Sequence, residues 1–116
     1  MRNRKQSKTN KKTTDNKVVF RRSNEWKNFR EKLKKRQKTD YITGSPLTKT
    51  SNCHHGVLDP AKYDDISDES KFIMLNTNSH SLLHFLYGDT NRRYDWKTRL
   101  KRLEELCIWM DELNNP

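Results

Sequence analysis

The chain has 116 residues, of which only 30% are hydrophobic and 34% charged, with a formal net charge of +10. That length and polarity allow one small domain with a limited core. No apolar run approaches the roughly 18–20 residues of a membrane span, and no apolar signal core opens the chain, so membrane contact and signal-peptide export are not expected. Charge is unevenly spread: positions 1–38 hold 16 Lys/Arg against 3 Asp/Glu, whereas positions 39–116 hold 9 against 12. A basic arm on a nearly neutral body predicts a polyanionic partner. The two cysteines, Cys53 and Cys107, form neither a C-x-x-C pair nor a disulfide framework, and a reducing cytoplasm is the expected setting.

Residues 1–17 contain no apolar residue after Met1 and no periodicity, so they read as disordered in isolation. They serve either as a solubilising tail or as an arm that displaces counterions from phosphates. A tail of residues 1–20 and a folded domain of residues 21–116 are the expected division. A helix is predicted from Ser23, with Ser23 or Asn24 as its cap and Trp26, Phe29 and Leu33 as its apolar stripe. Its other faces carry Lys27, Arg30, Lys34, Lys35 and Arg36, which are candidate phosphate contacts or simply a solvated face. Gly44-Ser45-Pro46 marks a turn, and a short strand is expected over residues 51–55. An acidic loop follows over residues 56–70, where Asp59, Asp64, Asp65, Asp68 and Glu69 solvate the chain or touch a metal through water. Phe72–Leu75 predicts a second strand. A helix from Thr77 or Asn78 to Tyr87 follows, stopped by Gly88 in the manner of a C-cap. The last helix, about residues 93–113, carries Trp96, Leu100, Leu103, Cys107 and Met110 on one stripe. It is expected to brace the monomer, with a homodimer seam as the alternative.

All four histidines fall between positions 54 and 84, as His54-His55, His80 and His84. Histidine is a common metal ligand and the usual general base near pH 7. A His-His pair alone is more often a surface strand feature, and H-x-x-x-H without a following Glu (Ser81 is there) is not the zinc-protease motif. The pattern gains specificity from its order of strand, loop, strand and helix and from the spacing of 25 residues between His55 and His80, with His80 and His84 sharing one helix face at i, i+4 spacing. Cys53 is either packed or a further ligand. Strand alternation turns it away from His54 and favours packing.

At this point the residues resemble the HNH (His-Me finger, ββα-metal) endonuclease family over about residues 50–87. The Trp26-x-x-Phe29 helix and Ile42-Thr43-Gly44-Ser45-Pro46-Leu47 are similar to the lead-in of small phage-type members, and HH…HxxxH is similar to the colicin-DNase version. The resemblance implies an α+β fold with a ββα-metal core and flanking helices. It assigns His54, His80 and His84 as ligands of one divalent ion, with His84 alternatively contacting phosphate, and His55 as general base. It puts Lys71 where the family has an Asn that ties the base-bearing loop, although lysine only donates hydrogen bonds. Asn76 and Ser79 occupy positions of a structural zinc clamp in many relatives, so that clamp is absent. Imidazoles favour Zn, Ni, Co or Mn, while phosphate oxygens still admit Mg. The implied activity is metal-dependent nicking or cutting of DNA, duplex above all, without a small-molecule cofactor and in a host cytoplasm if the gene is viral. A catalytically weak DNA-binding protein, a toxin-type nuclease and a structural metal adaptor are the rival expectations.

Overall fold

The structure is a computed structural model that describes residues 17–115. Most of the expected disordered arm, residues 1–16, lies outside the described residues. The expected tail boundary at residue 20 moves back, because residues 17–22 form a helical turn and Phe20 packs its ring 5.6 Å from Trp26 and 6.0 Å from Tyr63. Helix α1 spans Asn24–Gln37. Ser23 caps it by accepting a 3.2 Å hydrogen bond from the Trp26 amide, and Glu25 at its start and Lys34, Lys35 and Arg36 at its end suit the helix dipole. Phe29 and Leu33 project one turn apart from α1 and are buried.

Strands β1 (Asn52–His55) and β2 (Phe72–Leu75) form a two-stranded antiparallel sheet in which His55 faces Phe72 and His54 faces Ile73. Alternation divides the sheet into two faces. Cys53, Phe72 and Met74 join Phe29, Leu33 and Trp26 of α1 in the core, along with Leu47 and Ile66. The opposite face meets helix α2 (Thr77–Tyr87). A sheet this small has exposed edges, and Gln37 covers one of them: its amide donates to the Met74 carbonyl at 2.6 Å and accepts from the Met74 amide at 2.8 Å. The fold is therefore mixed α+β.

The acids of the 56–71 connection build turns rather than merely solvating it. Asp59 and Asp68 accept from the Ala61 and Ser70 amides to cap single 3-10 turns, Pro60–Lys62 and Glu69–Lys71. Asp65 accepts from the amide and hydroxyl of Ser67. Glu69 pairs with Lys32 at 2.8 Å and with Arg36, which ties the second turn to α1.

Helix α3 spans Trp96–Asn114 and starts three residues later than the expected Arg93, because Arg93 closes a bridge to Gly88 and Asp95 caps the helix through Thr98. Its expected role as a brace is corrected. Among the described residues none on α3 is buried. Its contact with α2 is made near its start, where Arg99 donates to the Phe85 carbonyl at 2.6 Å and lies over the rings of Phe85 and Tyr94. The remainder extends past the sheet, leaving Leu106, Trp109, Met110 and Leu113 more than half exposed. No helix among the described residues is long and apolar enough to cross a membrane.

Candidate metal centre

Three of the four histidines converge. One ring nitrogen each from His54, His80 and His84 lies within 4.8 Å of the others, and the ring centroids are 4.5–5.3 Å apart. The local reasons are simple: His80 and His84 share one face of α2 by i, i+4 spacing, and alternation along β1 points His54 at that face. His84 Nδ1 lies 3.0 Å from the Gly88 carbonyl oxygen. A carbonyl only accepts, so His84 carries its proton on Nδ1 and presents Nε2 as a lone pair. Such a carbonyl partner is what orients metal-ligating imidazoles. His84 Nε2 is 3.1 Å from His80 Nε2. Without an ion, His80 donates across that gap. Two nitrogens sharing an ion at about 2.1 Å stand roughly 3.0–3.4 Å apart, so the spacing also fits cis ligands once His80 carries its proton on Nδ1.

Electrostatics favour the neutral forms of His54 and His80. Burial, then the neighbouring His80, His84 and His55 rings, push the His54 pKa down to about 4. Burial and His84 likewise lower that of His80. Neutral imidazole is the metal-binding form, so no proton has to be displaced from His54 near pH 7. The three side chains therefore fit a divalent ion in number and spacing, with positions left for water or substrate oxygen.

His55 does not join the cluster. It occupies the other sheet face, stacked on Phe72 with centroids 4.2 Å apart and planes 9° from parallel. Burial lowers its pKa, Asp65 opposes that, and Lys71 adds to the lowering, so His55 is neutral and able to accept a proton. Lys71 contributes its carbonyl, which accepts from the Gly56 amide at 2.7 Å and fastens the chain just after His55. Its side chain is not among those lining the cleft. Cys53 packs against the core, and burial raises its pKa to about 12 despite Arg30, so it is a packed thiol.

A cleft of about 420 Å³ runs along β1 and is lined by all four histidines, Asn52 and the cations Lys17, Arg21 and Arg30. Of the five candidate phosphate contacts, two are spent internally. Arg30 donates to the Lys49 and Ser51 carbonyls while still edging the cleft, and Arg36 pairs with Glu69. Lys27 and Lys35 are exposed and Lys34 half-buried. Lys17, the last residue of the basic arm that the sequence offers as a phosphate contact, and Arg21 both line the cleft; the R-R pair at 21–22 is the only sequence signal for Arg21.

The sequence reading also missed Asp40, a carboxylate only 1% exposed. Its Oδ1 accepts from the amides of Ile42 and Thr43 at 2.8 and 2.9 Å and from the Ser79 hydroxyl at 2.9 Å, and its Oδ2 accepts from the Asn76 amide at 2.7 Å. Burial opposes the charge, but these bonds outweigh it and hold the pKa at about 2. Asp40 therefore caps α2 from a distance, while the Asn76 side chain accepts from Thr48 and donates to Pro46. Asn76 and Ser79 are held by this polar knot. The Asp-x-x-Thr-Gly run at 40–44 is an Asx-turn signal for the local bonds to Ile42 and Thr43, though not for the long-range ones.

No protein family, curated protein or solved structure matches this chain.

Proposed function

We propose that the chain is a metal-dependent endonuclease of the HNH type that hydrolyses DNA phosphodiester bonds, with β1, β2 and α2 as a ββα-metal core. The observation that carries the reading is the His54, His80 and His84 cluster, with His84 oriented by Gly88, in a cleft edged by cations. Lys17, Arg21 and Arg30 attract the phosphate backbone into the cleft, and Lys27 and Lys35 extend the positive field along α1. Neutral His55 takes the proton of an attacking water. A divalent ion on His54, His80 and His84, when bound, supplies charge neutralisation at the phosphate and at the departing oxygen. Two free cysteines suit action in a reducing cytoplasm.

The experiment is conversion of supercoiled plasmid to open circle across Mg, Mn, Ni, Co and Zn, with chelator and His55→Ala controls. Metal-dependent nicking lost in His55→Ala is the expected outcome. Salt-sensitive binding without nicking in any metal favours the second reading, a DNA-binding protein without turnover. That reading draws on the flat stacking of His55 on Phe72, which commits the ring to packing, and on the absence of Lys71 from the residues lining the cleft.

A further inference from the structure

We propose that α3 is the seam of a homodimer, packed antiparallel against α3 of a second copy of this chain. Trp96, Leu100, Leu103, Cys107 and Met110 recur at alternating spacings of four and three, the pattern of a coiled-coil seam, with Leu106 and Leu113 beside them. The stripe is uncovered: Leu100 is 48% exposed, Leu106 55%, Met110 54% and Leu113 63%. Trp96, Leu100, Leu103 and Cys107 line an open groove along the helix. Together these side chains form a contiguous exposed apolar stripe, a feature that marks association surfaces.

Charge identifies the occupant. Beside the stripe the first half of α3 carries Lys97 and Arg99 and the second half carries Glu104 and Asp111, while Lys101, Arg102, Glu105 and Glu112 fall on the outer faces. A helix with a basic first half and an acidic second half complements its own reverse. A second copy laid antiparallel brings each basic half against an acidic half and opposes the two helix dipoles, whereas a parallel copy stacks like charge on like. This is the self-complementarity that a two-fold interface requires. The heptad spacing fixes the register. Seating Leu100 on the partner's Met110 seats Leu103 on the partner's Cys107 and brings Lys97 beside the partner's Asp111. It also brings the two Glu104 carboxylates together near the axis.

Association is measured on the full chain without nucleic acid or metal, so its outcome is independent of the nuclease reading. Sedimentation velocity and light scattering at tens of micromolar are expected to give twice the 14.0 kDa of one chain. Lys97→Glu and Asp111→Lys each weaken association about tenfold, the double variant regains it, and Glu104→Gln tightens it. Leu106→Glu with Met110→Glu yields a monomer whose far-UV circular dichroism is retained, because neither side chain is buried. A monomer at every concentration overturns the proposal. So does a dimer that the single charge reversals leave unweakened or that the double variant fails to restore.

Discussion

Replacing Asp40 by Asn changes one oxygen to an amide group and should weaken the fold well beyond its size. The three bonds on Oδ1, from Ile42, Thr43 and Ser79, can survive on the Asn oxygen. The new amide then faces the Asn76 N–H that Oδ2 accepts at 2.7 Å, donor against donor. A lost charge-assisted bond and a donor left without an acceptor together cost about 3 kcal/mol or more, a large share of the roughly 5–15 kcal/mol of a small domain. Urea unfolding followed by circular dichroism should place the midpoint about 1–2 M lower. A second readout is independent of the first. Asp40 has a pKa of about 2 when folded, against its ordinary 3.8. Because the folded value is depressed, its contribution is complete above about pH 4 and is lost as pH falls toward 2. It amounts to about 2 kcal/mol. That acid loss should vanish in Asp40→Asn. A variant within about 1 kcal/mol of the parent that still shows the acid loss would refute the capping role of Asp40.

Gly88→Ala is expected to lower divalent-ion affinity by tenfold or more in calorimetric titration. Gly88 has a φ of +101°, and an added Cβ meets the Arg92 carbonyl, so the turn must shift and carry with it the oxygen that orients His84. His54→Ala should abolish specific ion binding while leaving circular dichroism little changed, since its ring belongs to the cluster and not to the core. In the ion-free chain the ring resonances of His54 and His80 should titrate in NMR below the ordinary histidine range, because burial and the neighbouring rings lower both pKa values. Titration of either ring near about 6.5 would count against that effect. Arg21→Ala should weaken DNA binding uniformly across sequences and reduce the logarithmic salt slope by about one, as measured by fluorescence anisotropy.

The legible parts of the fold were those governed by adjacent residues. The Ser23 cap, the Phe72–Leu75 strand and the Gly88 stop stand where local chemistry predicts them. The His80 and His84 face follows from helical spacing, and the approach of His54 from strand alternation, so the cluster was readable once the elements were in order. Asp40 was not, because hydrogen bonds reaching 36 and 39 residues along the chain leave no period in the sequence. The exposure of α3 was hidden for another reason. A stripe such as Leu100, Leu103, Cys107 and Met110 shows that a face is apolar but says nothing of what covers it. Arg30 and Arg36 had the same limit, since a cation in sequence does not reveal whether a carbonyl or a carboxylate already holds it.

The buried apolar core among the described residues amounts to five side chains: Phe29, Leu33, Phe72, Met74 and Leu75. So thin a core leaves α2 attached to the sheet by few contacts, and the candidate ligands straddle that junction. An ion gripping His54 together with His80 and His84 would bind only the folded arrangement of these elements and so stabilise it by mass action. The folded fraction would then follow the free concentration of the ion, and the chain would report metal supply through its own persistence: intact where the ion is plentiful, and open to proteases where it is scarce.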